Sequence, residues 1–292
     1  MPGFGIGTPI FLVVQALISS FVYSEAKKYG SRSPLVVGVS VFILGVGLAF
    51  IFRTVIELVA VELLVILIYL STIAYRDAPP IPKKVVGPEG ETIFTAADIQ
   101  AGQQVFLKYG LMQNGSIWGH GGYMGPDYTA EYLHTLAIHA NERMAPEMFG
   151  KPLPELSEAE KAAVNAEVRQ LLHVNRYDSE SGVLVFTGAE KASFIDQIDR
   201  WGDYLASGPE HTAGLPHGFI GERAPIEKLT AFFAWTAWAS IARRPGKWFS
   251  YTNNFPYDPL AGNTLSGDAI LWSDLSIVML LLAAVVSVVI AF

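Results

Sequence analysis

Apolar residues are concentrated at the two ends of this chain, and this distribution limits the folds available to it. Four runs of about 17 or more residues contain few charges, and this is the length that an α-helix needs to cross the core of a bilayer. The sequence therefore predicts a membrane protein, mainly α, with transmembrane helices at both ends. The four runs are Thr8–Ser24, Pro34–Phe52, Val55–Tyr75 and Leu275–Phe292.

The overall composition excludes several classes of protein. Hydrophobic residues make up 51% of the 292 positions and charged residues only 16%, which is too apolar for an ordinary soluble domain of this size. The formal net charge is −7, so the chain has no positive field that would hold nucleic acid. Cysteine is absent, which excludes disulfides, thiolate metal sites and covalent attachment of a c-type haem.

The same pattern divides the chain into four parts. We predict apolar membrane segments over residues 1–54, a transmembrane anchor helix over 55–76, a water-facing domain over 77–268 and a last transmembrane helix over 269–292. A break is expected near Arg53, because one helix through both neighbouring runs would be roughly 60 Å long at about 1.5 Å per residue. The positive-inside rule leaves the orientation of the first span open.

The polar middle block carries the signals of a helical domain with one hairpin. Prolines in Ala78–Pro82 forbid helix at its start. Capping-box patterns begin helices at Thr95 and Ser157, and a turn-rich stretch at 178–182 predicts the hairpin. The predicted helices cover 95–109, 129–143, 157–172, 188–206 and 229–241, and the hairpin covers 176–186.

The histidines do not form a metal-binding pattern in the sequence. His134 and His139 are five residues apart, which places them about 140° apart around a helix. His139 and Glu142 share a face, but two ligands do not make a site. Motifs for a serine nucleophile and for a phosphate-binding loop are absent. The sequence therefore predicts neither catalytic residues nor a metal site on this chain.

Two groups of residues remain as weaker candidates. His120, Gly121 and Tyr123 lie in a glycine-rich loop, where a structural role is favoured over contact with a partner. Trp235 and Trp238 could line a groove for a lipid-soluble substrate, although an interfacial aromatic belt or a domain core explains them more simply. Together with Tyr251 they are our candidates for a quinol site or a seam with the membrane.

Three long strings in the chain resemble quinol-dependent nitric oxide reductase, namely Phe94–Phe106, Gly110–Thr129 and Arg244–Thr264. The resemblance extends from about Val61 to the end of the chain. In that family a cytochrome-c-like extracytoplasmic domain without haem is joined to a multi-span core, which reduces nitric oxide at a haem and a non-haem iron. The resemblance implies a mostly helical, cytochrome-c-like extracytoplasmic domain between transmembrane helices.

The resemblance also locates the lost haem motif. In the related two-subunit enzymes, Cys-x-x-Cys-His stands shortly before a Gly-x-Gly-x-Tyr-x-x-Pro-x-x-Thr string, which resembles Gly119–Thr129. Counting back places the haem motif on Leu111–Gly115, where neither a thioether anchor nor an axial histidine remains. His120 stands where the relatives usually carry an acid. Electrons are therefore expected to come from membrane quinol.

The resemblance implies a role as part of an enzyme. The family's haem and iron ligands lie on later spans, so this chain is expected to be the anchor and extracytoplasmic portion of a reductase that converts two NO to N2O. It would bind no cofactor, and b-type haems and non-haem iron are expected in the catalytic core. The expected partners are that core, membrane quinol and the lipid bilayer of a prokaryotic cytoplasmic membrane, with the domain on the periplasmic or extracellular side.

Alternatives to this interpretation stay open. The core is either on the same polypeptide or on a separate subunit, and the second arrangement is slightly favoured. A relative of nitric oxide dismutase would use the same scaffold. A non-enzymatic, membrane-anchored assembly or binding subunit would also carry such a domain.

Overall fold

The computed structural model describes residues 7–28, 34–206, 214–265, 271, 274–278 and 280–282. The chain groups into two compact units, of which the first comprises Met1–Asp77 with Asp274–Phe292 and the second is Ala78–Ser273. Most of the predicted last helix, 269–292, lies outside the described residues. The same holds for residues 1–6 and 29–33 of the predicted segment 1–54.

Two helices form most of the described part of the first unit, α1 (Gly7–Lys28) and α2 (Pro34–Arg76). The predicted break near Arg53 is wrong, because α2 continues through this position. No glycine or proline stands between residues 48 and 62, so nothing there interrupts the helical hydrogen bonds. The side-chain amide of Gln15 in α1 donates a 3.0 Å hydrogen bond to the carbonyl of Val41 in α2.

The membrane part of the predicted fold class is wrong. A helix that crosses the hydrocarbon core needs about 20 consecutive, predominantly apolar residues. Over the residues that the structure describes, no helix combines sufficient length with sufficient hydropathy to cross a membrane. The expectation of transmembrane helices, including the anchor over 55–76, is corrected accordingly, whereas the expected predominance of helix is correct.

The helices of the second unit begin close to the predicted capping signals. The amide and hydroxyl of Thr95 donate to the Asp98 carboxylate at 2.7 and 2.8 Å, and Ser157 donates in the same way to Glu160. The helices are α3 (Ala96–Lys108), α4 (Leu111–Asn114), α5 (Tyr128–Phe149), α6 (Glu158–His173), α7 (Gly188–Ala206) and α8 (Arg223–Ile241), with a 3₁₀ turn at Leu153–Glu155.

Short strands complete the second unit. They are β1 (Lys84–Val86), β2 (Thr92–Thr95), β3 (Ser116–Ile117), β4 (His120–Gly121), β5 (Tyr177–Asp178) and β6 (Val183–Val185). The predicted hairpin forms between β5 and β6, and a parallel pairing of β6 with β1, which the sequence did not indicate, joins it to the start of the unit. The resulting sheet has the order β2-β1-β6-β5, and β3 pairs with β4 separately.

The core of the second unit lies where α3 crosses α8. Gly102 of α3 sits against the backbone of α8, and a Cβ atom there would lie under 3.0 Å from the carbonyl of Lys228. This close crossing brings Phe106 of α3 to the ring of Phe233 of α8, at a centroid distance of 6.3 Å. Burial of such aromatic rings supplies a large share of the hydrophobic stabilisation of the domain.

Candidate functional site: the glycine-rich loop and the last helix of the domain

The glycine-rich loop, residues 115–127, folds back on α4. The amide of Gly122 donates a 2.6 Å hydrogen bond to the carbonyl of Met112, and the amide of Gly125 donates one of the same length to the carbonyl of Asn114. A Cβ atom at either glycine would lie under 3.0 Å from atoms of α4. The loop therefore packs backbone against backbone, which is a contact that only glycine permits.

Asp127 ties this loop to α5. Its Oδ2 accepts hydrogen bonds from the amide of Gly119 at 2.6 Å and from the hydroxyl of Ser116 at 2.9 Å. Its Oδ1 accepts from the amide of Ala130 at 2.9 Å, so the same carboxylate caps the N-terminus of α5. This aspartate was not among the site residues predicted from the sequence, although an aspartate just before a helical run is an N-cap signal.

The three loop residues selected from the sequence have different environments. Gly121 lies in β4 at φ +144°, and a Cβ atom there would lie under 3.0 Å from the carbonyl of Gly115. His120 is exposed beside it, and Tyr123 at the tip of the loop is 89% exposed. The backbone thus requires the glycine, whereas both side chains are open to a partner.

The loop is held against α8 by its tryptophan. The indole nitrogen of Trp118 donates a 3.1 Å hydrogen bond to the carbonyl of Thr236, and its ring lies 5.6 Å from the ring of Trp235. The hydroxyl of Thr129, at the start of α5, donates to the hydroxyl of Thr236 at 3.1 Å. One turn of α8 therefore contacts both the loop and the helix that follows it.

The candidates Trp235, Trp238 and Tyr251 lie on α8 and on the loop after it. The indole nitrogen of Trp235 donates a 2.9 Å hydrogen bond to the carbonyl of Pro80. Trp238 is only 4% exposed, with the rings of Tyr177 and Tyr251 at 6.0 and 5.4 Å. Burial raises the pKa of Tyr251. Trp235 and Tyr251 are partly exposed, so these two can meet a ligand, and the buried Trp238 packs against Tyr251.

The residues at the position of the haem motif do not fit a covalently bound haem. The chain has no cysteine for thioether bonds, and Leu111 is fully buried. Asn114 is buried and its Oδ1 accepts a 3.2 Å hydrogen bond from the hydroxyl of Tyr128. The ring of Tyr128 stacks on Phe233 at 5.0 Å and lies 5.6 Å from Trp201, so side chains fill the space beside α4.

The histidines considered as metal ligands have other partners. His134 Nδ1 lies 2.8 Å from Oδ2 of the buried Asp258, and His139 Nδ1 lies 3.1 Å from the hydroxyl of Ser193. Asp258 also accepts a 2.7 Å hydrogen bond from the amide of Ala261. In the described part of the chain, no group of three or more histidine, aspartate and glutamate side chains could hold a metal ion.

Comparison with known protein families identifies a family for this domain. The sequence matches the NorB cytochrome c-like family, the cytochrome c-like domain of nitric oxide reductase, over residues 82–257. The match contains the glycine-rich loop and α3 to α8, and it covers more than half of the chain. No curated protein matches the chain. The chain therefore belongs to the NorB cytochrome c-like family of nitric oxide reductase domains.

Proposed function

We propose that this chain is the haem-free, cytochrome-c-like portion of a quinol-dependent nitric oxide reductase. Its partner is a catalytic core with b-type haems and non-haem iron, whose ligands lie on residues outside this chain, on the same polypeptide or on a separate subunit. The core converts two NO to N2O and water with two electrons and two protons from one quinol. The chain binds no cofactor of its own and lies on the extracytoplasmic side of the core.

The observation that carries this proposal is the packing at the position of the haem motif. Leu111 and Asn114 are buried, and the glycine-rich loop is bonded to the backbone of α4. Because no cysteine is present, this domain cannot hold an electron carrier by thioether bonds. A quinol delivers two electrons directly to a core, so an enzyme that uses it needs no relay haem in this domain.

The contacts of α8 support an attachment of the partner at this helix. The carbonyl of Pro80, in the incoming segment of the domain, accepts the hydrogen bond from Trp235. The side-chain amide of Asn263, in the outgoing loop, donates a 3.1 Å hydrogen bond to the carbonyl of Ser240. Since both ends of the domain are bonded to α8, we propose that the core and its quinol meet the domain beside Trp235 and Tyr251.

The first experiment is isolation of the tagged protein from its source cells in a mild detergent, with intact mass and a visible spectrum. A polypeptide far above 31.8 kDa with b-type haem supports a fused reductase. A 31.8 kDa chain with a haem-containing partner supports a separate catalytic subunit. The same chain isolated alone and colourless would contradict the proposal and favour a non-enzymatic binding subunit.

The second experiment identifies the electron donor and the products of the isolated complex. Under the proposal, NO consumption is driven by a reduced quinol and yields N2O, whereas reduced cytochrome c supports little turnover. Turnover with cytochrome c alone would contradict quinol dependence. Formation of O2 and N2 from NO without any donor would show that the complex is a dismutase.

Two conservative variants of the complex test the position of the quinol. Tyr251→Phe removes one hydroxyl, and Trp235→Phe replaces the indole by a smaller ring without an N–H group. Either is expected to raise the KM for quinol while haem content is unchanged. Trp248→Phe is the matched control, because this tryptophan is 59% exposed on the same loop region. Unchanged quinol kinetics in both variants would exclude a quinol site beside Trp235 and Tyr251. The result of the electron-donor experiment, which tests quinol dependence itself, would not be affected.

A further inference from the structure

We infer that the aromatic side chains of the domain form a path for one-electron oxidation, which leads from Trp118 and Trp235 through Trp201 to Tyr204. This activity is separate from the proposed reductase function. It requires a strong one-electron oxidant, such as nitrogen dioxide radical, near the first two rings. It also requires a reductant, such as a thiol or ascorbate, at the last ring.

The rings of this path are in contact from one end to the other. Trp118 and Trp235 are separated by 5.6 Å between ring centroids, and Trp201 and Tyr204 by 5.7 Å. Two phenylalanines, which are not themselves oxidised, bridge the two pairs. The bridging centroid distances are 6.1 Å from Trp235 to Phe232, 6.0 Å from Phe232 to Phe233 and 5.0 Å from Phe233 to Trp201.

The environment of Trp201 favours onward electron transfer over trapping of the radical on this ring. The side chain is 1% exposed, and among the described residues its indole nitrogen has no hydrogen-bond acceptor. A tryptophan radical cation that cannot release its proton stays strongly oxidising. Tyr128, which lies 5.6 Å from Trp201, donates its hydroxyl to the amide oxygen of Asn114, and an amide is too weak a base to take the phenol proton.

Tyr204 differs from Tyr128 in its exposure to water. Tyr204 is half-buried at the end of α7, whereas Tyr128 is fully buried. Water can therefore accept the phenol proton of Tyr204 when this ring is oxidised, which makes the ring the stable end of the path.

The electrons and protons balance along the path. The oxidant takes one electron from Trp235, and successive electron transfers from Trp201 and then from Tyr204 restore each tryptophan. Tyr204 becomes a neutral radical, and its phenol proton is released to water. One electron from the external reductant and one proton from water then restore the phenol.

Because the chain has no cysteine, one introduced cysteine allows an oxidant to be attached at a single chosen position of the full chain. Ile81 is 40% exposed and follows Pro80, the hydrogen-bond acceptor of Trp235. We would label Ile81→Cys with a ruthenium photosensitiser, oxidise it by flash and quench, and record radicals by transient absorption and electron paramagnetic resonance. The expected signal is a tyrosyl radical that follows a tryptophanyl radical.

Variants on this labelled background identify the path. Tyr204→Phe should remove the tyrosyl signal and prolong the tryptophanyl signal, and Trp201→Phe should remove the tyrosyl signal while an aromatic ring still fills the core. Tyr109→Phe, at a partly buried tyrosine outside the path, is the matched control and should change neither signal.

Two results would overturn the inference. One is a tyrosyl yield in Tyr204→Phe equal to that of its labelled parent, which would place the radical on another tyrosine. The other is a radical that stays on Trp118 and Trp235 in the labelled Ile81→Cys parent. This would show that the buried rings contribute to packing and do not carry electrons. Thermal unfolding of each variant confirms that it is folded, and Tyr204→Phe decides the question even if Trp201→Phe is unstable.

Discussion

The indole nitrogen of Trp235 and the carbonyl of Pro80 are joined by a 2.9 Å hydrogen bond across 155 positions of the chain. Pro80 lies in the proline-rich segment that enters the domain, and Trp235 lies in the last helix. The bond therefore attaches the first residues of the domain to its last helix. Its loss should loosen the incoming segment before it affects the rest of the core.

Trp235→Phe is expected to lower the free energy of unfolding by about 1 kcal/mol, because it removes one partly buried hydrogen bond and keeps most of the ring contact. Chemical denaturation of the full chain measures this change. Trp248→Phe removes an exposed indole and should change the stability by less than about 0.5 kcal/mol. Equal effects of the two substitutions would show that the bond to Pro80 contributes nothing specific.

Asp127→Ala is expected to destabilise the domain by about 2 kcal/mol, because three donors lose one charged acceptor and α5 loses its N-cap. Asp196→Ala, at an exposed aspartate in α7, is the matched control and should be nearly neutral. Hydrogen exchange should also show faster exchange at the amide of Gly119. A stable Asp127→Ala variant with an unchanged exchange rate there would contradict this role.

Gly102→Ala and Gly202→Ala form a matched pair in two helices. The first substitution places a methyl group under 3.0 Å from the carbonyl of Lys228, so α3 and α8 must separate and a loss of about 3 kcal/mol is expected. At Gly202 the nearest atom, Cδ1 of Ile226, is 3.7 Å from the added methyl, so a gain of about 0.5 kcal/mol is expected from helix propensity. Thermal denaturation should separate the two variants, and similar melting temperatures would exclude a close crossing.

The Asp98 carboxylate makes stability depend on pH. Burial raises its pKa, but hydrogen bonds from Lys228 and Thr95 outweigh this effect and hold the pKa below its ordinary value. Since the folded state binds this proton less readily than the unfolded state, the stabilisation is present above about pH 4 and is lost as the pH falls through the lowered pKa. Asp98→Asn should flatten this part of the pH profile of unfolding, and an unchanged acid limb would refute the assignment.

Local signals in the sequence were sufficient for most helices of the domain. The prediction for α7, residues 188–206, agrees with the structure at both ends, and the capping signals at Thr95 and Ser157 locate two other helix starts. The predicted helix at 229–241 is shorter than α8, which begins at Arg223. A helix end without a strong capping residue is set by packing, and this explains why α8 begins earlier than predicted.

The candidate site was only partly accessible to sequence reasoning. Glycine spacing and the strings shared with nitric oxide reductase drew attention to the loop, but Asp127 and the pairing of His134 with Asp258 were missed. His134 and Asp258 are 124 residues apart, and neither carries a local sign of the other. The expectation of membrane helices was based on apolar runs of the sequence alone. It was wrong, because no described helix has both the length and the hydropathy that are needed to cross a membrane.

Residue types at fixed spacing were sufficient to predict the helix starts, the glycines of the loop and the lack of covalent haem attachment, because capping, backbone freedom and thioether bonds depend on such local patterns. The hydrogen bond from Trp235 to Pro80, the pairing of β1 with β6 and the position of Trp201 between Phe233 and Tyr204 were visible only in the folded domain. These contacts join residues that are far apart in the chain. Their selection depends on which surfaces pack together when the whole core is buried.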